Sequence, residues 1–447
     1  MKMDDMILVS VDDHVCEPPD MWERHLDAKW KSRAPRLLHK QDGSDVWVFE
    51  GQQIPNVGLN AVAGRRPEEY GMEPTALSQL RRGCWNVDAR VEDMNANGVL
   101  GSLCFPTVPG FVGELFGRQA DAGNGELAIT MLRAYNDWHI DEWCGKHPGR
   151  FIPLAIPPIW DPAEMGREVH RVARKGCHAV TFADNPGGLG RPSLHSEHWD
   201  PFWKACADEG TVVCIHIGSG TRMNLQDPGA PIEVMIAGTP ITLFNCATEL
   251  VFSEIFNKFP ALKIALSEGG IGWIPYFLER IDYVHDHHHR WTLHGFPNGK
   301  KPSDVFREHI ITCFIDDAAG VRNRELIGID NITWECDYPH SDSTWPKAPE
   351  TLFASLAGVP DADVHKMTWQ NTTRHFQYDP FKHIPKEKCT VAALRAQAKH
   401  VDLAPIVGAG GKAPSDYAKG YATVGDIIKQ MAGAFSTPFE SKPGGAG

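Results

Sequence analysis

A chain of 447 residues with 42% apolar and 23% charged side chains has the balance of a folded globular protein, too long for one small domain but suited to one large α/β barrel with insertions. Its net charge of −13 argues against nucleic-acid binding, which needs clustered Lys and Arg, and against docking on anionic lipid. Eleven cysteines without a Cys-x-x-Cys pair, several of them in apolar runs (Cys104, Cys177, Cys214, Cys313, Cys336), read as buried small side chains in a reducing compartment.

The first strand is Ile7-Leu-Val-Ser-Val, which breaks into Asp12, Asp13, His14 and Glu17. Pro18 and Pro19 stop it, because proline cannot donate to a sheet ladder. In an extended chain Asp12 and His14 point to the same side and can reach one metal ion. Residues 20 to 85 follow as a long irregular stretch, punctuated by Pro55, Gly58, Gly64, Pro67, Gly71 and Pro74. Such a length implies a lid or an interface element. A helix is expected from Asn86 to Asn97, then a strand at Val99–Pro106, a helix at Gly125–His147 and a strand at Phe151–Pro157. Asp161 N-caps a helix over Pro162–Lys175, with proline at its first position. Strands at Cys177–Phe182, Thr211–His216, Leu262–Glu268, Ile310–Ile315 and Ile332–Asp337 alternate with helices at Pro201–Glu209, Ile232–Phe259, Gly272–His289, Val321–Ile327 and Pro349–Leu356.

Eight apolar strands alternating with helices predict an α/β fold, a distorted (β/α)8 TIM barrel over residues 1–380, with the insertion at about 20–85 after the first strand. No Gly-x-Gly-x-x-Gly follows that strand, which disfavours a doubly wound sheet. Residues 381–447 read as a C-terminal extension with a disordered tip, because Val401–Lys412 and Ser436–Gly447 are rich in Gly, Ala, Pro and Ser. The N-terminus lacks the basic segment and apolar core of a signal peptide, and no apolar run approaches the roughly 20 residues that span a bilayer. A cytoplasmic protein with no membrane contact is expected.

Chemistry in such a barrel sits where the strands end. Those ends carry Asp12, His14 and Glu17, then His216, Glu268, Asp337 and, three residues on, His340. One at a time these are turn residues or helix-start acids. Seven at matching ends predict a metal site, since buried carboxylates are costly unless paired or bound to metal. The tract Val284-His-Asp-His-His-His-Arg290 is polar enough to cap the site, and His288 and Arg290 are candidate substrate-binding residues; arginine offers a bidentate fork to a carboxylate.

The stretches Val11–Asp20, Ile215-His216, Ser267–Trp273, Asp337–Asp342 and Asn371–Arg374 resemble the metal-dependent amidohydrolase superfamily, and within it the amidohydrolase-2 group that contains aminocarboxymuconate-semialdehyde decarboxylase. The resemblance implies a distorted TIM barrel holding a divalent ion, with His14, His216 and Asp337 at ligand positions and Asp12 as the other member of the first-strand pair. The chain departs from the group in having Asp12 where His or Glu is usual and Glu268 where His is common. With Glu17, Glu268 and His340 left over, the set resembles branches of the group with carboxylate-rich dinuclear iron sites, such as 2-aminoisobutyrate hydroxylase.

The expectation is therefore a metal-dependent hydrolase or non-oxidative decarboxylase of a small carboxylate-containing substrate. Asp337 would act as proton shuttle, Glu268 or His340 as the second acid/base, and zinc or manganese as the ion. A dinuclear iron or iron–manganese oxygenase of a small amino-acid-like substrate is the alternative, and a non-catalytic subunit paired with a related chain a third. The insertion and the C-terminal arm suit a homo- or hetero-oligomer.

Overall fold

A computed structural model describes residues 1–54, 57–221, 227–406, 417–427 and 429. Strand β1 (Val9–His14) enters the centre of a parallel sheet. After it come β2 (Arg36–His39), β3 (Asp45–Phe49) and β4 (Gln52–Ile54), which form a separate antiparallel sheet. The parallel sheet is completed by β5 (Gly101–Phe105), β6 (Phe151–Ile152), β7 (Ala179–Phe182), β8 (Val212–His216), β9 (Lys263–Ser267), β10 (Ile310–Phe314) and β11 (Ile332–Trp334). Its order is β6-β5-β1-β11-β10-β9-β8-β7. A bridge from Ala155 to Val180 joins the two outer strands: Ala155 N–H donates to Ala179 O and Thr181 N–H to Ala155 O, both at 3.0 Å. The sheet is thus a closed eight-stranded barrel, and the strand ends lie at one mouth.

Local chemistry sets the helices between the strands. The Asn86 side chain accepts from Ala89 N–H and caps the helix Val87–Asn97. Asp161 does the same for Glu164 N–H ahead of Pro162–Ala173. The expected single helix from Ile232 to Phe259 is three: Ile232–Gly238, Ile241–Val251 and Ile255–Lys258. Pro240 explains the first break, since it cannot supply the N–H that a continuous helix needs. Ile232–Val251 is, by length and composition, apolar enough to cross a membrane. This corrects the expectation that no run approaches spanning length. Leu243, Cys246, Ala247, Leu250 and Val251 of that stretch pack in the barrel's core.

One irregularity places the site. Ile7, Val9 and Val11 pack in the apolar cluster that also holds Leu103, Val212, Cys214, Ala265, Ile311 and Cys313. Simple alternation from that start would send Asp13 inward. The β1–β5 register shifts between Ser10 and Asp13, a β-bulge that reverses the phase. Asp12 and His14 then face the other side chains of the strand ends. Asp13 turns to Ser10 Oγ (3.1 Å), Ser102 Oγ and Tyr338 N–H (2.9 Å).

The insertion is more ordered than its punctuation suggests. Asp42-Gly43 turns the chain between β2 and β3, with Gly43 at φ 85° and Lys40 N–H donating to Ser44 O at 2.8 Å. Its later part is strapped onto the loop after β11. Ala63 N–H donates to Pro339 O (2.9 Å) and Asn60 Nδ2 to Ser341 Oγ (2.8 Å). Arg81 forks onto Asp93 and lies 4.2 Å from the Trp345 ring. Beyond the barrel the chain returns along Ala230–Ile232, where Val424 N–H donates to Ala230 O and Ile232 N–H to Ala422 O. The expected disordered tip at 436–447 lies outside the described residues.

Candidate metal centre

Asp12, His14, His216, Asp337 and His340 are buried at the barrel mouth, and the Glu268 side chain is 16% exposed beside them. His14 Nε2 is 3.5 Å from Asp12 Oδ1 and 3.2 Å from Asp337 Oδ1. His216 Nε2 is 3.6 Å from Asp12 Oδ2 and 3.0 Å from Glu268 Oε2. His340 Nδ1 is 3.0 Å from Asp337 Oδ1, and its ring stacks on His14 at 3.7 Å. Two groups offer ligand atoms lying within 4.8 Å of one another: Asp12, His14 and His216, and His14, Glu268, Asp337 and His340. His14 is common to both.

The donor atoms are left over by the protein itself. Both oxygens of Asp12, Oδ2 of Asp337, both ring nitrogens of His14 and Nε2 of His216 are buried without a hydrogen-bond partner. Polar atoms in that state are rare because each loses its hydration for nothing. His216 Nδ1 is 2.8 Å from Ile217 O, which fixes the proton there and turns the Nε2 lone pair inward, as a metal ligand requires. His14 is held from behind: buried Arg90 donates to its carbonyl, and also to Gly83 O at 2.7 Å. Asp337 N–H donates to Asp12 O at 2.8 Å, so the first and last strands lock the two carboxylates in register.

Charge points the same way. Burial, then the carboxylates of Glu335, Glu268, Asp337 and Asp13, raise Asp12 well above the usual carboxylate range. Burial, then His340 and His216, lower His14 well below the usual imidazole range. An acid that resists ionising and a base that resists protonation, side by side, describe a cup short of a cation. His340 differs. Burial opposes its charge, but Asp337, Glu268 and Glu73 outweigh burial and push it up to about 9.

Two expectations need correction, and one residue was missed. Glu17 does not reach the cup: its carboxylate accepts Thr107 N–H (3.1 Å) and Val108 N–H (2.9 Å), and burial raises it to about 7. The bulge that turns Asp12 and His14 inward leaves Glu17 against the loop after β5. His288 and Arg290 lie near the far end of the helix Ile274–Thr292. That helix begins beside Glu268, and at 1.5 Å per residue its last turns are roughly 20 Å further along. His288 is exposed and accepts from Trp291 Nε1. Glu335 is a residue the strand-end reasoning does not reach. It is buried two positions before Asp337, just past the end of β11, and burial raises it to about 8.

A cavity of about 570 Å³ lies along the loop after β8, lined by Gly218–Thr221, Gly188–Arg191, Ile159 and residues of the helix Glu114–Asp121. Phe111 stacks on His216 at 4.1 Å.

A closed parallel barrel whose mouth gathers buried histidines and carboxylates defines a metal-dependent enzyme of the TIM-barrel class. The amidohydrolase family matches residues 30–377, and the chain belongs to that family. The match begins after β1, so Asp12 and His14 rest on geometry alone. The chain is 23% identical over 314 residues to 2-amino-3-carboxymuconate-6-semialdehyde decarboxylase of Dictyostelium discoideum, covering 68% of this chain and 80% of that one. It is 26% identical over 311 residues to gamma-resorcylate decarboxylase of a Polaromonas strain, covering 65% and 87%. Among solved structures it is similar to 5-carboxyvanillate decarboxylase of Novosphingobium aromaticivorans, complexed with manganese and 4-hydroxy-3-methoxy-5-nitrobenzoic acid. The TM-score is 0.58 at 19% identity, over 84% of this chain and 99% of that one. These relatives are decarboxylases and lend no support to the oxygenase alternative.

Proposed function

We propose that the protein is a metal-dependent, non-oxidative decarboxylase of small aromatic or enol carboxylates. The observation that carries this reading is the set of buried, unpartnered donor atoms on Asp12, His14, His216 and Asp337, which converge from β1, β8 and β11. Decarboxylase relatives support the reaction type. Asp12, His14, His216 and Asp337 would hold a divalent ion, with Glu268 and His340 at the open side; manganese is the ion in the Novosphingobium neighbour. A bound ion supplies Lewis-acid charge that draws in the substrate's oxygens and offsets the negative charge of the reacting group.

The chain's own residues manage the proton. Loss of CO2 breaks a carbon–carbon bond and leaves an electron pair that one proton must take. His340, charged beside Asp337 and stacked on His14, is the proton donor that fits. Asp337, fully buried with Oδ1 3.0 Å from His340 Nδ1, steadies that charge, and His340, the more exposed of the two, takes up the replacement proton. The straps from Ala63 and Asn60 hold the Pro339–Ser341 segment, and so the imidazole's height over the cup. The exposed Tyr276, Tyr283, Trp291 and Leu293 of the helix Ile274–Thr292 and its end support association with a second copy or a related chain. The eleven free, buried cysteines support a reducing, cytoplasmic setting.

The test is CO2 release from 2,6-dihydroxybenzoate and 5-carboxyvanillate by protein stripped with chelator and reloaded with Mn2+, Zn2+ or Fe2+ under nitrogen. Release should vanish on stripping and return with one of the ions, without oxygen. Turnover that survives stripping, or that requires oxygen, would overturn the reading.

A further inference from the structure

We propose that Glu335 is a positioning residue, which sets the backbone of Glu268 and through it the wall of the cup that Glu268 forms beside His216. The inference rests on the reading above only in taking the cup to bind a divalent ion. Glu268 follows β9 with φ 63°, a left-handed conformation that is uncommon for a glutamate and persists where its surroundings hold it. The Glu335 carboxylate is what holds it: Oε2 accepts Glu268 N–H at 3.1 Å. The sheet order puts β10 between β9 and β11, so Glu335 reaches across a whole strand to make that bond. Cys313, on the intervening β10, directs its S–H to the same oxygen. The loop that follows is pinned at its other end by a second carboxylate. Asp317 Oδ2 accepts Ile271 N–H (2.8 Å) and Gly272 N–H (2.5 Å), and Gly270 has φ 62°.

The segment 268–272 is therefore stretched between two acids, and only one side chain on it faces the cup. Glu268 Oε2 lies 3.0 Å from His216 Nε2. Were Glu268 N–H left without an acceptor, a buried donor would be orphaned and the left-handed residue would relax, swinging its carboxylate away from His216. Glu335 is not itself among the groups whose ligand atoms converge, so its contribution passes through Glu268.

Reach and charge are separable. Glu335→Gln keeps an acceptor at the same length and removes the charge. Glu335→Asp keeps the charge but falls short by one methylene. Mn2+ binding to the stripped protein, followed by calorimetry or by electron paramagnetic resonance, should be within about threefold of wild type for E335Q and roughly 10- to 100-fold weaker for E335D, the range typical of groups that orient a metal ligand. The metal-free thermal midpoints of the two variants should stay close, which separates positioning from general stability. Equal Mn2+ affinity in E335D and wild type would overturn the proposal. So would an E335Q as weak as E335D, since charge rather than the bond to Glu268 would then be what matters. Wild-type protein that binds no Mn2+ at the cup would instead overturn the reading of the site as a metal centre.

Discussion

Asp12 shows what a metal site costs the chain that carries it. Its carboxylate is fully buried, has no hydrogen-bond partner and faces four other carboxylates. Replacing it with Asn should therefore act in opposite directions. The metal-free protein should gain about 1–3 kcal/mol in denaturant unfolding at pH 8, while Mn2+ affinity falls at least tenfold. A D12N variant that loses stability without metal would show that Asp12 is satisfied by something other than an ion. Glu17 gives a second test. Its carboxyl is raised from 4.5 to about 7, so the folded state holds the proton more tightly than the unfolded one. That contribution is complete below about pH 4.5 and is lost as pH rises through about 7. Glu17→Gln cannot lose it, so E17Q should gain on wild type by about 2.5 kcal/mol between pH 5 and pH 8. A difference that is flat with pH would place Glu17 in solvent contact. At this scale the strand-end residues were legible because each follows an apolar run. The exclusion of Glu17 was not legible, because it depends on Thr107 and Val108, about 90 residues away. Glu335 carried one usable signal, its i−2 spacing from Asp337.

At the scale of elements, the eight barrel strands could be read because parallel strands are short apolar runs between helices, and the expected ends lie within about three residues of the observed ones except at Phe151–Pro157, where β6 stops at Ile152. The bulge in β1 could not be read: it is a mismatch between two strands, visible only once β5 is beside it. The insertion hid its sheet behind prolines and glycines, although Asp42-Gly43 marked the hairpin. What the insertion does is brace the loop after β11, and Gly83 is the point to test it. A Cβ there would lie 2.3 Å from Asp93 Oδ2 and 2.9 Å from the Tyr338 hydroxyl. Those two atoms bond each other at 2.6 Å, and Asp93 also anchors Arg81. Gly83→Ala should force them apart, cost about 1–3 kcal/mol and lower kcat more than it raises KM, because the displaced loop carries His340. Asn60→Ala, which removes the bond to Ser341 and puts alanine at φ 55°, should cost about 1–3 kcal/mol but leave kcat near that of wild type. A G83A enzyme with unchanged kcat would mean that the brace and the chemistry are independent.

For the molecule as a whole, the cup joins strands from distant parts of the chain: β1 at the start, β8 in the middle, and the ends of β9 and β11. Unfolding scatters these residues, so an ion held by them binds only the folded state, and its binding free energy adds to global stability. At an ion concentration 100 times the dissociation constant the gain is about 2.7 kcal/mol. Spread over the unfolding entropy of a chain this long, it amounts to a rise of only about 3 °C in the thermal midpoint. The small size of that shift makes its pattern the decisive part. Mn2+ should raise the midpoint of the wild type and raise those of H216A and D12N by no more than about half as much, because each lacks one of the three donors in the group Asp12, His14 and His216. It should still raise the midpoint of E17Q, because Glu17 is committed to backbone amides outside the cup. A midpoint that responds equally in all four proteins would locate the ion elsewhere on the acidic surface, and the convergence of the strand ends would then have to be explained without a metal.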